Sequence, residues 1–441
     1  MMLCNRVLPM VLALVVLTSV QASAGDGYEV WAIDQSNSSG RAFGGTLYIW
    51  EGHDLENAHL AATATPARID LGGAAAELCL AQTGVYPVRP HMMAMSPAQT
   101  HAIISFVASG HVLFMDAAAR LPVACFRTSP GAGGARQAHM ATPSPDGTYV
   151  TVANQNGKLL ERILTDYSTN TFVYDAAATL NLSTCTTPNG LPCESPLLRP
   201  DNAPICPITD GTSRYTFVTM RGGGLFVVDS RATPMQIVGE YDQLTVRGNG
   251  CLGAEVPGKK MYIDSGGGTA SNLYQADLYA FPVDGYSPFN PPNTPAPGVV
   301  FSDPSEGADA HGATLTKHAR YLWIADRGRN FLWVVDTATD TIANTIPLAG
   351  AVSEDPTPDL VAIAPNGSHA FLSLRGPTPL TADPHVSTGI TPGVGILNVL
   401  AGGRDAVFVA VAPVSNIDAE GVQRADVHAL AIRVKELSVE R

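Results

Sequence analysis

Four histidines occupy equivalent positions in a segment that recurs along the chain. Three of them stand six residues before the turn that ends their segment, and the fourth stands in a similar segment at the C-terminus; they are His91, His139, His311 and His428. Asp359 has the same position in another copy. Neutral imidazoles are ligands for copper, iron and zinc, and a carboxylate can join them as a ligand or act as a base. The pattern predicts a transition-metal site wherever these positions meet.

Two further copies of the segment leave the ligand set open. In one, Cys251 stands at the histidine position, where it is either a ligand or half of a disulfide with Cys206. In the other, the loop at Cys185 disturbs the pattern, and Ala203, Asn202 or Cys206 could be equivalent. A histidine at a strand start can also simply hydrogen-bond a neighbouring backbone. The alternative to a metal site is therefore a set of structural histidines.

Three of the copies carry an arginine followed by glycine directly after their second apolar run. These arginines are Arg221, Arg327 and Arg375. We expect them to rim the mouth above the histidines and, as catalytic or orienting groups, to attract a small anionic substrate. The alternative is that they form surface ion pairs with Asp or Glu, which are common and weak.

The elements that must position these residues are short β-strands. Seven runs rich in β-branched and aromatic residues resemble one another, and a second such run precedes each of them. The seven runs are 46–50, 112–116, 159–164, 225–229, 278–284, 331–336 and 394–400. The runs that precede them are 28–33, 101–107, 149–153, 215–220, 261–264, 321–325 and 370–374. The recurrence predicts an all-β, seven-bladed propeller whose inner strands carry the histidines along a central channel.

The two ends of the chain complement each other. The first copy begins at Tyr28 without an inner strand, whereas the segment 426–432 is an extra one that resembles 89–95. We expect the C-terminal inner strand to pair with the N-terminal strand. This pairing would close the ring and leave no open edge between the first and last blades.

Composition and the N-terminus narrow the class of protein. The 441 residues include 42 Gly and 33 Pro, with 15% charged residues and a net charge of −13, which argues against nucleic-acid or anionic-membrane partners. Arg6, the apolar run 7–20 and Ala22-Ser23-Ala24 predict a signal peptide over residues 1–24. The mature chain, 25–441, is then a single propeller domain without membrane insertion, periplasmic or secreted.

Cysteine usage agrees with export. Six cysteines remain after the predicted signal, and disulfides are the default in an oxidising compartment. Cys185 and Cys193 bracket a turn-rich loop that could close on itself. The other pairings are left open.

Several motifs carry a resemblance to a known repeat. Ser144-Pro-Asp-Gly-Thr-Tyr-Val, Arg120-Leu-Pro-Val-Ala and Trp333-Val-Val-Asp-Thr-Ala-Thr resemble the YVTN-type seven-bladed β-propeller repeat. Propellers of this type include lactonases, binding scaffolds and metal-bearing periplasmic enzymes, so the resemblance implies the fold and leaves the function open.

The histidine pattern itself resembles the axial copper sites of nitrous oxide reductase and related periplasmic copper oxidoreductases. Those enzymes use more axial histidines, and no cupredoxin-like tail with a Cys and His cluster follows the propeller here. The resemblance implies a copper-dependent oxidoreductase for a small anionic substrate, with a redox partner protein.

Two other functions remain open. One is a metal-independent lactonase in which His139 or His311 is the base and Arg221 or Arg327 stabilises the oxyanion. The other is a non-enzymatic scaffold that binds a partner protein.

Overall fold

A computed structural model describes residues 27–250, 252–266, 275–380 and 387–435. The predicted signal peptide and Cys251 lie outside these ranges. Over the described residues the chain forms seven antiparallel sheets, and they are the blades of a β-propeller. Six sheets are built from consecutive strands, and one joins the last strand to the first three. The predicted fold class is confirmed.

The strands follow the chain blade by blade. Blade 1 contains β1 (Tyr28–Asp34), β2 (Thr46–Glu51) and β3 (Ala67–Asp70); blade 2 contains β4 (Pro90–Met95), β5 (His101–Phe106), β6 (His111–Asp116) and β7 (Leu121–Arg127). Blade 3 contains β8 (Ala138–Pro143), β9 (Tyr149–Asn154), β10 (Leu159–Asp166), β11 (Thr171–Tyr174) and the short β12 (Leu180–Asn181). Blade 4 contains β13 (Pro204–Thr209), β14 (Tyr215–Met220), β15 (Leu225–Asp229) and β16 (Gln236–Tyr241).

The remaining blades repeat this order. Blade 5 contains β17 (Gly253–Val256), β18 (Lys260–Ser265), β19 (Ala276–Pro282) and β20 (Gly298–Asp303). Blade 6 contains β21 (Ala310–Leu315), β22 (Tyr321–Asp326), β23 (Phe331–Asp336) and β24 (Thr341–Pro347). Blade 7 contains β25 (Pro358–Ile363), β26 (His369–Leu374), β27 (Gly393–Leu400) and β28 (Asp405–Pro413).

Turn chemistry explains why the strands end where they do. In the hairpin between β8 and β9, the Ser144 N–H donates to the Tyr149 carbonyl, and Gly147 has a φ of 72°. Glycine adopts this left-handed conformation at no steric cost. At the end of β23, the Asp336 carboxylate accepts the Ala338 N–H at 2.9 Å and caps the turn. Each apolar run is thereby limited to one strand.

The ring closes as the sequence predicts. The last strand, β29 (Val427–Val434), pairs antiparallel with β1 from Tyr28↔Val434 to Asp34↔Val427 and is the inner strand of blade 1. The first and last parts of the chain therefore share one sheet.

Besides the blade strands, the described residues contain three α-helices and two disulfides. Two short helices, α1 (Gly52–Glu56) and α2 (Ala58–Ala61), follow β2, and α3 (Ala74–Thr83) packs on β7. The Cys79–Cys125 disulfide ties α3 to β7, and Cys185–Cys193 closes the loop predicted to close on itself. Among the described helices, none has the length and apolar character that crossing a bilayer requires.

Candidate metal centre

A β-bulge near the start of the inner strand positions the candidate ligands. In six of the seven blades the register with the second strand shifts there, so that the inner strand contains one extra residue. A bulge bends its strand and re-aims a side chain, which suits a site at the rim of a channel. The second residues of these six inner strands are His428, His91, His139, Ile205, His311 and Asp359.

Blade 4 corrects the alignment made from sequence. Ile205 holds the second position of β13, whereas Ala203 and Asn202 precede the strand and Cys206 follows Ile205. The inserted loop that closes with the Cys185–Cys193 disulfide hides this register in the sequence. Cys251, the expected equivalent in blade 5, is outside the described residues.

His91 and His139 face each other through their Nε2 atoms, which lie 3.1 Å apart. The Nδ1 of His91 is 2.8 Å from Oε1 of Gln35, and the Nδ1 of His139 is 3.0 Å from the Ile205 carbonyl oxygen. Both oxygens can only accept, so both Nδ1 atoms carry the hydrogen. The two Nε2 lone pairs therefore lie 3.1 Å apart, close enough for both to bind one cation placed beside them.

The orientation of the Gln35 amide is fixed by its other end. Nε2 of Gln35 donates to the Asp426 carboxylate, which leaves Oε1 to face His91. Because a carboxylate cannot donate, a flipped amide would lose this bond. The His91 tautomer thus follows from the hydrogen-bond network.

A second group adjoins this pair. The ligand atoms of His311, Asp359 and His428 lie within 4.8 Å of one another, and all three side chains are buried. His311 Nε2 is 2.9 Å and His428 Nε2 is 3.5 Å from the Asp359 carboxylate. The rings of His91 and His428 are 3.8 Å apart between centroids, so the pair and this group form one continuous cluster. The structure brings all five predicted ligands together.

The arginines divide into two that reach this cluster and one that does not. Arg375 Nη1 is 2.6 Å and Arg327 Nη1 is 3.2 Å from the Asp359 carboxylate. Arg375 also binds Asp426 at 2.6 Å, and Arg327 binds Asp309.

The predicted rim of three accessible arginines is not what the structure contains. Arg327 and Arg375 are only 7% and 2% exposed, because buried carboxylates draw them into the ring. Arg221 instead binds Asp201 at 2.6 Å, and within the described ranges it has no hydrogen bond or ion pair with any of the five axial residues. The alternative of surface ion pairs describes Arg221, whereas Arg327 and Arg375 form buried ion pairs that neither expectation included.

Burial sets the protonation states. It lowers the pKa of His91 well below its usual value, with His428 and His139 adding to the effect, and it lowers the pKa of His428 in the same way. Burial would raise the pKa of Asp359, but the permanent charges of Arg375 and Arg327 hold that pKa well below its usual range. A neutral His91, a neutral His428 and an ionised Asp359 are protonation states in which these groups bind metals.

The formal charges also favour a cation. Three carboxylates, those of Asp309, Asp359 and Asp426, contact two guanidiniums, those of Arg327 and Arg375, which leaves one negative charge in a buried region. Buried charge is costly unless compensated. A nitrogen-rich set with one carboxylate suits copper, zinc or iron better than magnesium or calcium. The residues present therefore fit a transition-metal ion.

Sequence reasoning missed the residues that support the ligands. Ser373 donates its hydroxyl to the His428 carbonyl at 2.6 Å and accepts the Leu360 N–H at 2.8 Å, and Ser105 donates to the His139 carbonyl at 2.9 Å. Both serines are the fifth residue of a second strand that is otherwise apolar after its first histidine. A serine at the same position of an otherwise apolar second strand, repeated in two blades, was the sequence signal that could have revealed these residues.

Comparisons with known proteins agree on the fold. No protein-family model matches the chain, and no curated protein matches it. A hypothetical selenium-binding protein from Sulfolobus tokodaii superposes with a TM-score of 0.60 at 9% identity, covering 94% of this chain and 95% of that one. A periplasmic gluconolactonase from Pseudomonas aeruginosa superposes with a TM-score of 0.54 at 12% identity, covering 93% of this chain and 100% of that one. A protein from Lactobacillus plantarum superposes with a TM-score of 0.58 at 11% identity, covering 92% of this chain and 99% of that one.

These similarities show the seven-bladed fold alone, since identity is so low. They do not show membership of the YVTN-type family or a copper site like that of nitrous oxide reductase.

Proposed function

We propose that this protein is an exported metalloenzyme, a copper-dependent oxidoreductase whose ion is held at the propeller axis by His91, His139, His311 and His428, with Asp359 as an added ligand. The observation that carries the proposal is the pair of Nε2 atoms at 3.1 Å whose Nδ1 partners leave a lone pair on each Nε2. Two disulfides and the predicted signal peptide support export.

Copper bound there would supply one-electron chemistry and a Lewis acid. The chain's own residues do the positioning: Gln35 and the Ile205 carbonyl hold two imidazole tautomers, and the arginines orient the Asp359 carboxylate. His139 is the least buried of the four histidines, so we expect the substrate to approach beside it.

An anionic substrate fits the site with copper bound because of the charge of the ion, whereas the sequence analysis attributed anion binding to the arginines. The arginine charges are neutralised by carboxylates, and the cluster alone carries one formal negative charge. A divalent ion would make the sum positive, and a positive site favours a small anion. A redox partner protein would exchange electrons at the same face.

Metal analysis of protein purified without chelators tests the proposal. Wild type offered copper and zinc in equal amounts should retain about one equivalent of copper, and His139→Ala should lose it. His53→Ala is the matched control, because the His53 side chain is 77% exposed and belongs to no cluster. Negligible metal in wild type and in both variants would end the proposal.

A metal-independent lactonase is the second candidate, and one contact favours it. His311 Nε2 lies 2.9 Å from Asp359, the geometry of a base oriented by a carboxylate, with Arg327 beside it to stabilise an oxyanion. Lactone turnover that persists in chelator and disappears in His311→Ala would select this function over the copper enzyme. Absence of both metal and turnover would leave a binding scaffold.

A further inference from the structure

A cavity of about 660 Å³ lies on the outer flank of the ring between blades 2 and 3. Its walls are the β7 end of blade 2, the last turn of α3 and the outer strand β11 of blade 3. Its lining residues make no hydrogen bond or ion pair with the axial cluster, as far as the described residues extend. The lining is Gln82, Thr83, residues 123–128, Arg136, Asn170, Phe172 and Tyr174. It is therefore a different place from the candidate metal centre.

Two arginines of this cavity lack a counter-charge. Nε of Arg127 donates to the Ser109 carbonyl at 3.0 Å, and Nε of Arg136 donates to the Thr128 carbonyl at 2.8 Å. These bonds anchor both guanidiniums to the backbone and leave their Nη groups for other partners. Neither arginine forms an ion pair within the described parts of the chain, and no Asp or Glu lines the cavity.

The two guanidiniums are close enough to repel each other. Burial lowers the pKa of Arg127, and the charge of Arg136 lowers it further. Gly110, whose φ is 75°, makes room for the base of the Arg136 side chain, because a Cβ there would lie 2.9 Å from the Arg136 Cβ. In a chain with net charge −13, two adjacent unneutralised arginines indicate an anion-binding function rather than a stabilising one.

Three aromatic side chains also line the cavity. They are Phe126, Phe172 and Tyr174, and the Phe172 ring stacks on Phe114 with centroids 4.2 Å apart, which holds it in place. Aromatic rings favour offset stacking with other planar groups. Asn170 adds an amide, whose carbonyl oxygen is 2.6 Å from His101 Nε2.

We propose that this cavity binds a small organic anion in which a carboxylate, phosphate or sulfate is attached to a planar ring. Arg127 and Arg136 bind the anionic group, and the ring packs on Phe172 and Tyr174. Nothing in this assignment depends on the metal centre.

Calorimetric titration with phenyl phosphate and with inorganic phosphate tests the site. Wild type should bind phenyl phosphate more tightly than phosphate. Arg127→Gln and Arg136→Gln should each weaken phenyl phosphate binding about tenfold, the typical worth of a charge-assisted hydrogen bond. Arg320→Gln is the matched control, because Arg320 is exposed and already paired with Asp336 at 2.7 Å. The Arg320→Gln variant should bind phenyl phosphate as tightly as wild type does.

Further variants separate the two parts of the site. Phe172→Leu should weaken phenyl phosphate and leave inorganic phosphate unchanged. Should a glutamine variant fail to fold, Arg127→Lys keeps the charge and loses the planar fork, and it should show intermediate affinity.

Two results would overturn the proposal. One is the absence of any phenyl phosphate binding to wild type at millimolar concentration. The other is binding that survives Arg127→Gln with Arg136→Gln yet disappears in His139→Ala, since the anion would then bind at the axial cluster.

Discussion

Replacing Gln35 by alanine should weaken copper binding at the axis although Gln35 is not a ligand. Its side chain accepts from His91 Nδ1 at 2.8 Å and donates to Asp426, and it is completely buried. Loss of such a supporting residue typically lowers metal affinity about 10- to 100-fold, which corresponds to about 1.4 to 2.7 kcal/mol. The reason is that His91 would no longer be held in the tautomer that presents Nε2 to the ion.

The metal-free protein should lose stability as well. The substitution leaves the His91 Nδ1–H and one Asp426 oxygen without this partner, and a buried polar group left unsatisfied costs about 1 to 3 kcal/mol. Gln35→Glu separates the two effects. Glutamate retains the acceptor for His91 but places a second carboxylate against Asp426, so it should preserve more copper affinity and lose more stability than alanine does.

The assay is competition for copper against a chromophoric chelator, with urea unfolding of the metal-free proteins alongside. Gln243→Ala is the matched control, because Gln243 donates to the Leu197 carbonyl at 2.9 Å in surface loops. Wild-type copper affinity in Gln35→Ala would refute the reasoning, as would an equal loss in Gln243→Ala.

Three further predictions concern stability. His111 is buried between Thr83 and Ser109 beside Arg127 and Arg136, and burial followed by Arg127 lowers its pKa to about 4. In the unfolded chain the pKa of His111 is about 6.5, so as the pH falls the unfolded state takes up the proton before the folded state does. The contribution of His111 to stability is therefore fully present above pH 6.5, and stability falls by about 3 kcal/mol toward pH 4. Urea midpoints should fall less across this range in His111→Ala than in wild type, because His91 and His428 titrate in both proteins, and equal falls would contradict the prediction. Breaking the Cys79–Cys125 disulfide, whose cysteines are 46 residues apart, with a double serine variant should cost about 4 kcal/mol by loop entropy, and an unchanged unfolding midpoint would contradict this. Ser373→Ala should cost about 1 to 3 kcal/mol by chemical denaturation, because the His428 carbonyl and the Leu360 N–H lose their shared partner, whereas exposed Ser168→Ala should cost far less.

The fold was accessible from sequence because its signals are local. Strand runs such as 225–229 and 331–336 match β15 and β23 residue for residue, since alternation and turn residues act over a few positions. The count from the turn also located His91, His139, His311 and Asp359, because these inner strands meet their turns at the same distance. The resemblance of the C-terminal segment to 89–95 located His428. Helix α3 was missed, as its insertion follows no repeat.

The sequence by itself determined the repeat, the closing strand and the equivalent positions of four histidines and Asp359. Only the tertiary structure decided what those side chains touch. Gln35 and Asp426 are 391 residues apart and meet through ring closure. Arg327 and Arg375 turn inward because each also pairs with a carboxylate of the next blade, Asp359 and Asp426 respectively. Turn and strand preferences are properties of short segments, whereas charge pairing and tautomer choice depend on groups that separate blades bring together.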